Sequence, residues 1–174
     1  MDASGGDDGL RVECRGRRVV FRASLEELPN GRRVVVDRVE FPSSVAVLPV
    51  RGCEVLLVRQ YRPTLGEWTL EAPAGTIKEG ESPEEAASRE LAEEAGFRPG
   101  RLVKVGEGYV SPGYSTEYMY LYIAEDLAPA GAEPEYYEVL EPPVWMNVDE
   151  AMERVRDVKT LLLLYAVKAR GCSG

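Results

Sequence analysis

At 174 residues with 44% hydrophobic side chains, the chain is long enough for one ordinary domain with a substantial core and a small N-terminal addition. Its formal charge of −9 excludes nucleic acid and anionic membrane surfaces as expected partners, because neither attracts an acidic protein. The sequence contains no histidine, which removes His-assisted nucleophiles, His-ligated zinc and imidazole bases together. Acid–base or metal chemistry then falls to carboxylates, Lys, Tyr or backbone carbonyls, and an acidic protein handling a polyanion needs cations to reconcile the charges.

Residues 1–10, rich in Gly and Asp, read as a disordered tail with no resemblance to a signal peptide. Strands are expected over Arg17–Ala23 and Arg32–Glu40, with Pro29-Asn30-Gly31 between them as a hairpin signal. Two more are expected over Ser44–Val50 and Glu54–Tyr61, joined at Arg51-Gly52. Residues 63–80 read as loop with a short strand near Trp68–Glu71. Ser82 as N-cap, Pro83 at the first helical position, Glu85 in a capping box and Gly96 as the stop predict a helix over 83–95.

Strands resume over Leu102–Val110 and Glu117–Ala124. An acidic, Pro-containing loop follows, then a strand toward Trp145 and helices near Val148–Val155 and Val158–Arg170, with Gly171 as cap. The apolar run Leu161–Val167 is too short to cross a bilayer, so a soluble, cytoplasmic protein is expected. Cys14, Cys53 and Cys172 lack C-x-x-C spacing and read as scattered buried thiols of a reducing cytosol. The element pattern predicts an α+β sandwich, with 1–10 a tail, 11–42 an N-terminal β region and 43–174 the main domain.

On the helix at 83–95, Ala87, Leu91 and Ala95 share a face that packs on a sheet, and Glu90, Glu93 and Glu94 crowd another. Three adjacent carboxylates repel one another, and on their own they fit a solvated acidic face. They also fit a seat for a hard divalent cation such as Mg²⁺. Arg89, one turn from both Glu85 and Glu93, is placed to hold a carboxylate. The wider spacing decides between the two: Gly75, Glu81, Arg89, Glu90, Leu91, Glu93, Glu94, Gly96 and Phe97 match the Nudix signature G-x5-E-x7-R-E-U-x-E-E-x-G-U at every fixed position, U being bulky and apolar.

The chain thus resembles the Nudix hydrolases, and the resemblance implies an α/β/α sandwich with a mixed sheet plus an N-terminal antiparallel strand region. It implies water attack on one phosphorus of a nucleoside diphosphate derivative, with Mg²⁺, or Mn²⁺ in its place, neutralising the oxygens. By the same resemblance Glu90 and Glu94 match the principal metal ligands, Glu93 a further ligand or organiser of waters, and Ala74 a ligand through its carbonyl. Gly75, Glu81, Arg89 and Gly96 take structural places in the motif.

Pro112, fifteen positions after Phe97 and inside Ser111-Pro112-Gly113-Tyr114-Ser115-Thr116-Glu117, resembles the ADP-ribose pyrophosphatase subfamily. Val58-Arg59-Gln60-Tyr61-Arg62-Pro63, Glu71-Ala72-Pro73-Ala74-Gly75 and Asp157-Val158-Lys159-Thr160-Leu161 resemble the same subfamily, so the similarity spans roughly residues 38–165. It implies hydrolysis of ADP-ribose to AMP and ribose 5-phosphate by a homodimer built through the N-terminal strands. Arg38 and Arg62 are candidates for contacts to adenosine or phosphate. Glu71, Pro112, Gly113 and Glu117 are the other substrate candidates.

The resemblance also implies a loop glutamate as general base, with Glu135 first and Glu133 second, while Glu138 is expected in the following strand. Alternating Tyr118, Tyr120 and Tyr122 read as one packed face, and Phe21 as a stacking candidate. Two alternatives stay open: another substrate, such as a nucleotide sugar or FAD, and a non-catalytic ADP-ribose sensor.

Overall fold

The computed structural model describes residues 11–132 and 136–172, which form two units. The first unit comprises the described residues up to Ser43 together with Tyr109–Tyr118; the second comprises Ser44–Gly108 and the described residues from Met119 onward.

The first unit holds β1 (Arg11–Arg15), β2 (Val20–Glu27) and β3 (Arg33–Glu40), an antiparallel sheet in that order. The expected hairpin joins β2 to β3: the amide of Gly31 donates to the carbonyl of Leu28 at 2.8 Å, with Gly31 at φ 77°. Only glycine adopts that left-handed conformation without steric penalty. β1 lies within the expected N-terminal β region but ahead of its first expected strand, because its run of Arg, Glu and Cys carries little apolar alternation. In the segment 109–118, the carbonyl of Ser111 accepts from the amides of Tyr114 and Ser115, and Ser115 bridges to Val39.

The second unit runs β4 (Ser44–Arg51), β5 (Glu54–Arg62), β6 (Glu67–Glu71), β7 (Ala74–Thr76), α1 (Pro83–Ala95), β8 (Phe97–Arg98), β9 (Arg101–Tyr109), β10 (Tyr118–Glu125), β11 (Ala128–Pro129), β12 (Leu140–Asn147), α2 (Val148–Arg154) and α3 (Val158–Ala169). Its main sheet has the order β12-β5-β4-β10-β9, with β6 on β5 and β7 on β4. β10 runs parallel to β4, whereas β5 and β7 are antiparallel to it, so the sheet is mixed. β7 falls inside the stretch expected to be loop, since Ala-Gly-Thr carries no strand periodicity; tertiary pairing with Ser44–Ala46 forms it.

Alternation along β4 builds the two faces of the sandwich. Val45 and Val47 pack with Leu56, Val58, Tyr122 and the α1 residues Ala86, Ala87, Leu91 and Ala95. Ala46 and Leu48 pack on the other side with Val55, Leu57, Ile123 and the α2 and α3 residues Val148, Ala151, Leu163, Leu164 and Val167. The mixed sheet between helical layers is the architecture expected from the sequence. Tyr120 and Tyr122 join the α1 side, as the alternation predicted, and Tyr122 donates its hydroxyl to Glu84 at 2.7 Å.

The expectation of three thiols is corrected. Cys53, in the turn between β4 and β5, forms a disulfide with Cys172, beyond α3; Cys14 alone among them is free, and exposed. The two half-cystines lie 119 positions apart, so no local spacing announces the pair. Among the described residues no helix is long and apolar enough to cross a membrane.

Candidate active site

The site is built on the N-terminal approach to α1 and on one face of that helix. Ser82 accepts from the amide of Glu85 at 3.2 Å and Glu85 accepts from the amide of Ser82 at 2.8 Å, the capping box predicted. Glu85 is therefore spent on the cap and is not a partner of Arg89. Gly96, at φ 72°, ends the helix, its amide donating to the carbonyl of Ala92.

Arg89 ties the preceding loop to the helix. It donates Nε to Glu81 Oε1 at 2.7 Å and Nη2 to Glu81 Oε2 at 2.9 Å, a bidentate pair, and Nη2 also to the carbonyl of Thr76 at 3.1 Å. Its Nη1 reaches Glu90 Oε1 at 2.6 Å and Glu93 Oε2 at 3.0 Å. The Glu81 pair is the largest influence raising the guanidinium pKa, so Arg89 stays charged throughout. Glu81 also accepts from the amide of Lys78 at 3.0 Å, which closes the loop on itself.

Glu90 and Glu94 are buried, at 6% and 4% exposure, a costly placement for two like charges on one helix face. Burial pushes Glu90 up to about 7, against the pull of Arg89 and with added repulsion from Glu93 and Glu138. Burial likewise pushes Glu94 well above the carboxylate range, with Glu90 and Glu138 adding repulsion; the amide of Ala74, at 3.2 Å from Glu94 Oε2, and Arg62 oppose it. The protein's own cations thus leave this charge incompletely balanced. Glu93 sits at the edge of the pair, a quarter of its side chain exposed.

Gly75 fits against this pair so closely that a Cβ there would stand 2.0 Å from Glu90 Oε1. Hard oxygen donors, buried and under-compensated, beside a backbone stripped of side chain, suit a divalent cation that retains part of its water shell. Among the described residues no three or more Asp, Glu or Cys side chains already converge on a point.

A family model described as the NUDIX domain matches residues 40–164. The chain belongs to the Nudix family. It is 35% identical over 150 residues to an ADP-ribose pyrophosphatase of Bacillus subtilis (strain 168), covering 82% of this chain and 79% of the relative. It is 40% identical over 164 residues to a GDP-mannose pyrophosphatase of Cronobacter sakazakii, covering 83% and 82%. The solved structure of an ADP compounds hydrolase matches with a TM-score of 0.79 at 25% identity, covering 97% of this chain and 99% of that one. The protein is a Nudix hydrolase, and the loop–helix–loop just described is its Nudix box.

Beyond the box, the second unit places Arg62 within electrostatic reach of Glu94. Arg62 donates Nε and Nη2 to the two carboxylate oxygens of Glu71 at 2.7 and 2.6 Å. Glu71, 3% exposed, also accepts from Thr69 Oγ1 at 2.6 Å and from Lys159 Nζ at 2.5 Å. Burial works to raise its pKa, but Arg62 and Lys159 together outweigh it and hold the carboxyl at about 2. Every lone-pair direction of Glu71 is engaged inside the protein.

The remaining candidates belong to the first unit. Arg38 donates Nη2 to Glu26 Oε1 at 2.9 Å, Pro112 and Gly113 form the exposed turn after Ser111, and the amide of Glu117 donates to Ser115 Oγ at 3.1 Å. Phe21 is partly exposed on β2. Glu133 and Glu135 lie outside the described residues. Glu138 does not belong to the strand, as had been expected; β12 starts at Leu140, and the Glu138 charge acts on both Glu90 and Glu94. The two prolines Pro142 and Pro143, beside the irregularity in the β12–β5 pairing between Glu141 and Val144, were the available signal that regular pairing is interrupted near here. Sequence reasoning also missed Lys159 and Thr160 as partners of the site, because nothing local connects α3 with Glu71.

Proposed function

We propose that this Nudix hydrolase cleaves the pyrophosphate of ADP-ribose to AMP and ribose 5-phosphate in a Mg²⁺-dependent reaction. The observation that carries the reading is the buried, under-compensated pair Glu90 and Glu94 on the box helix, beside Gly75 and Ala74. In this reading Glu90, Glu94 and the carbonyl of Ala74 hold Mg²⁺ (Mn²⁺ serving in its place), with Glu93 as further ligand or organiser of waters. The cation supplies charge neutralisation for the pyrophosphate and a more acidic attacking water.

The chain's own residues do the rest. Arg89 and Glu81 fix the loop that carries Gly75. Arg62 contacts the substrate; the saturated carboxylate of Glu71, expected from the sequence as a substrate contact itself, supports reading it as the group that holds Arg62 from behind. Arg38, Pro112, Gly113 and Glu117 are further substrate contacts in this reading. A glutamate of the loop before β12 orients and deprotonates the water: Glu135, then Glu133, with Glu138 added because its charge reaches both box carboxylates. We assign 11–42 to a homodimer interface in a cytoplasmic enzyme; the exposed Val12, Phe21 and Val35 on its strands support that reading. Light scattering tests it, with a monomer mass overturning it.

The 40% identity to a GDP-mannose pyrophosphatase favours a second substrate reading, a nucleotide sugar. A panel of ADP-ribose, GDP-mannose, ADP-glucose, FAD and NADH with Mg²⁺, and with EDTA controls, decides it. Metal-dependent AMP release with the highest kcat/KM on ADP-ribose is expected. Preference for GDP-mannose would replace the substrate and keep the chemistry. ADP-ribose binding without turnover of any compound would make the chain a sensor.

A further inference from the structure

The start of α3 is held against the site through two separate routes. Asp157, its N-cap, accepts from the amide of Thr160 at 3.0 Å and from Lys159 Nζ at 2.9 Å. Lys159 passes on to Glu71 Oε2 at 2.5 Å, and Glu71 takes Arg62 in a bidentate fork. Thr160, fully buried, accepts from the amide of Ala72 at 2.8 Å, two residues before Ala74. Along the first route the side chains of Asp157 and Lys159 are 21% and 16% exposed, that of Glu71 4% and that of Arg62 31%. The network is most closed at Glu71 and most open at Arg62.

We infer that Lys159 is a positioning residue that keeps Arg62 available to the phosphates of the substrate. The inference rests on the reading of Arg62 as a substrate contact. Arg62 and Lys159 balance Glu71 and Asp157, two charges against two, in a place where water does little screening. The fork to Glu71 uses one edge of the guanidinium and leaves the other edge for an acceptor. Without Lys159 the cluster carries one uncompensated negative charge beside Glu94. Glu71 then leans on Arg62 alone, and a polyanionic ligand meets a more negative site. A lysine that merely braced α3 would change stability and leave ligand affinity as it was.

The test is a double-mutant cycle on the full-length protein, reading the calorimetric Kd for ADP with Mg²⁺ together with KM and kcat on the preferred substrate of the panel. Arg62→Ala weakens ADP binding if the underlying reading holds; unchanged binding removes that reading and this inference with it. Lys159→Met is expected to weaken ADP binding and raise KM roughly tenfold, with a smaller change in kcat. Lys159→Arg restores most of the loss, because it returns the charge. In the Arg62→Ala background Lys159→Met costs little more. Wild-type affinity in Lys159→Met, while Arg62→Ala is impaired, overturns the inference. So does a loss that adds in full to that of Arg62→Ala, since Lys159 would then act by another route.

Discussion

Gly75 and Glu90 occupy the same small volume from two sides: the glycine's missing Cβ is the space in which a carboxylate oxygen of Glu90 lies, 2.0 Å from where that carbon would be. β7 carries Gly75 against β4 and α1 carries Glu90, so the fit joins two consecutive elements, a strand and the helix that follows it. Gly75 is not at positive φ, and its role is close approach rather than conformational freedom. Gly75→Ala is therefore expected to fold, because the end of a glutamate side chain gives way more easily than backbone. The displaced carboxylate should lower kcat/KM by orders of magnitude and weaken Mg²⁺ binding. Circular dichroism and calorimetric metal titration check the two halves, and normal metal affinity would show that Glu90 is not a ligand.

Glu94→Gln removes one charge of the buried pair while keeping the shape. The Tm with EDTA should rise or hold, since a buried charge next to another is lost. Turnover should fall by orders of magnitude. Near-normal kcat would remove Glu94 from the metal set.

The raised Glu90 and Glu94 set a pH dependence with a definite sign. A folded-state pKa above the unfolded value of about 4.3 gives stability that is complete below that value and lost as pH rises through about 7 for Glu90. Metal-free protein should melt lower at about pH 8 than at about pH 6. Mg²⁺ binds the deprotonated pair, so its stabilising shift should grow over the same interval and its binding should release protons. Glu71 works in the opposite sense: held at about 2, it contributes above the unfolded value and loses that contribution only as pH falls toward 2. Differential scanning fluorimetry across pH, with Mg²⁺ and with EDTA, measures this. A metal-free Tm that rises from about pH 6 to about pH 8 would contradict it.

Three glutamates that precede β12 in the sequence are the proposed candidates for the base. Glu138→Gln, Glu135→Gln and Glu133→Gln, assayed side by side, should show one large kcat loss, about a hundredfold or more, with KM little changed. A loss confined to Glu138→Gln would move the base to the residue nearest β12. Modest losses in all three would place the role elsewhere.

The Cys53–Cys172 bond closes nearly the whole second unit into a loop and anchors the segment after α3 to the β4–β5 turn. Such a closure stabilises by about 2–4 kcal/mol. Reduction, or Cys172→Ser, should then lower Tm by roughly 5–10 °C in this size range. Mass spectrometry with and without thiol alkylation reads the pairing directly, and a Tm insensitive to reductant would mean the bond adds nothing to stability.

The sequence by itself determined the box helix from cap to stop, because Ser82, Pro83, Glu85 and Gly96 act through contacts within one or two turns. It also determined the family, since the signature is written as spacing through one loop and one helix. Capping and side-chain alternation are local physics, and local physics is visible in local sequence. Only the tertiary structure decided that β7 is a strand, that Arg89 holds Glu81, and that Glu138 precedes β12. The Arg62–Glu71–Lys159 chain and the Cys53–Cys172 bond belong to the same group. Each depends on which residues from distant segments meet, and on how deeply they are buried when they do. Burial sets the dielectric around a charge, and so decides which carboxylates are saturated, like Glu71, and which are left with charge to offer a cation, like Glu90 and Glu94.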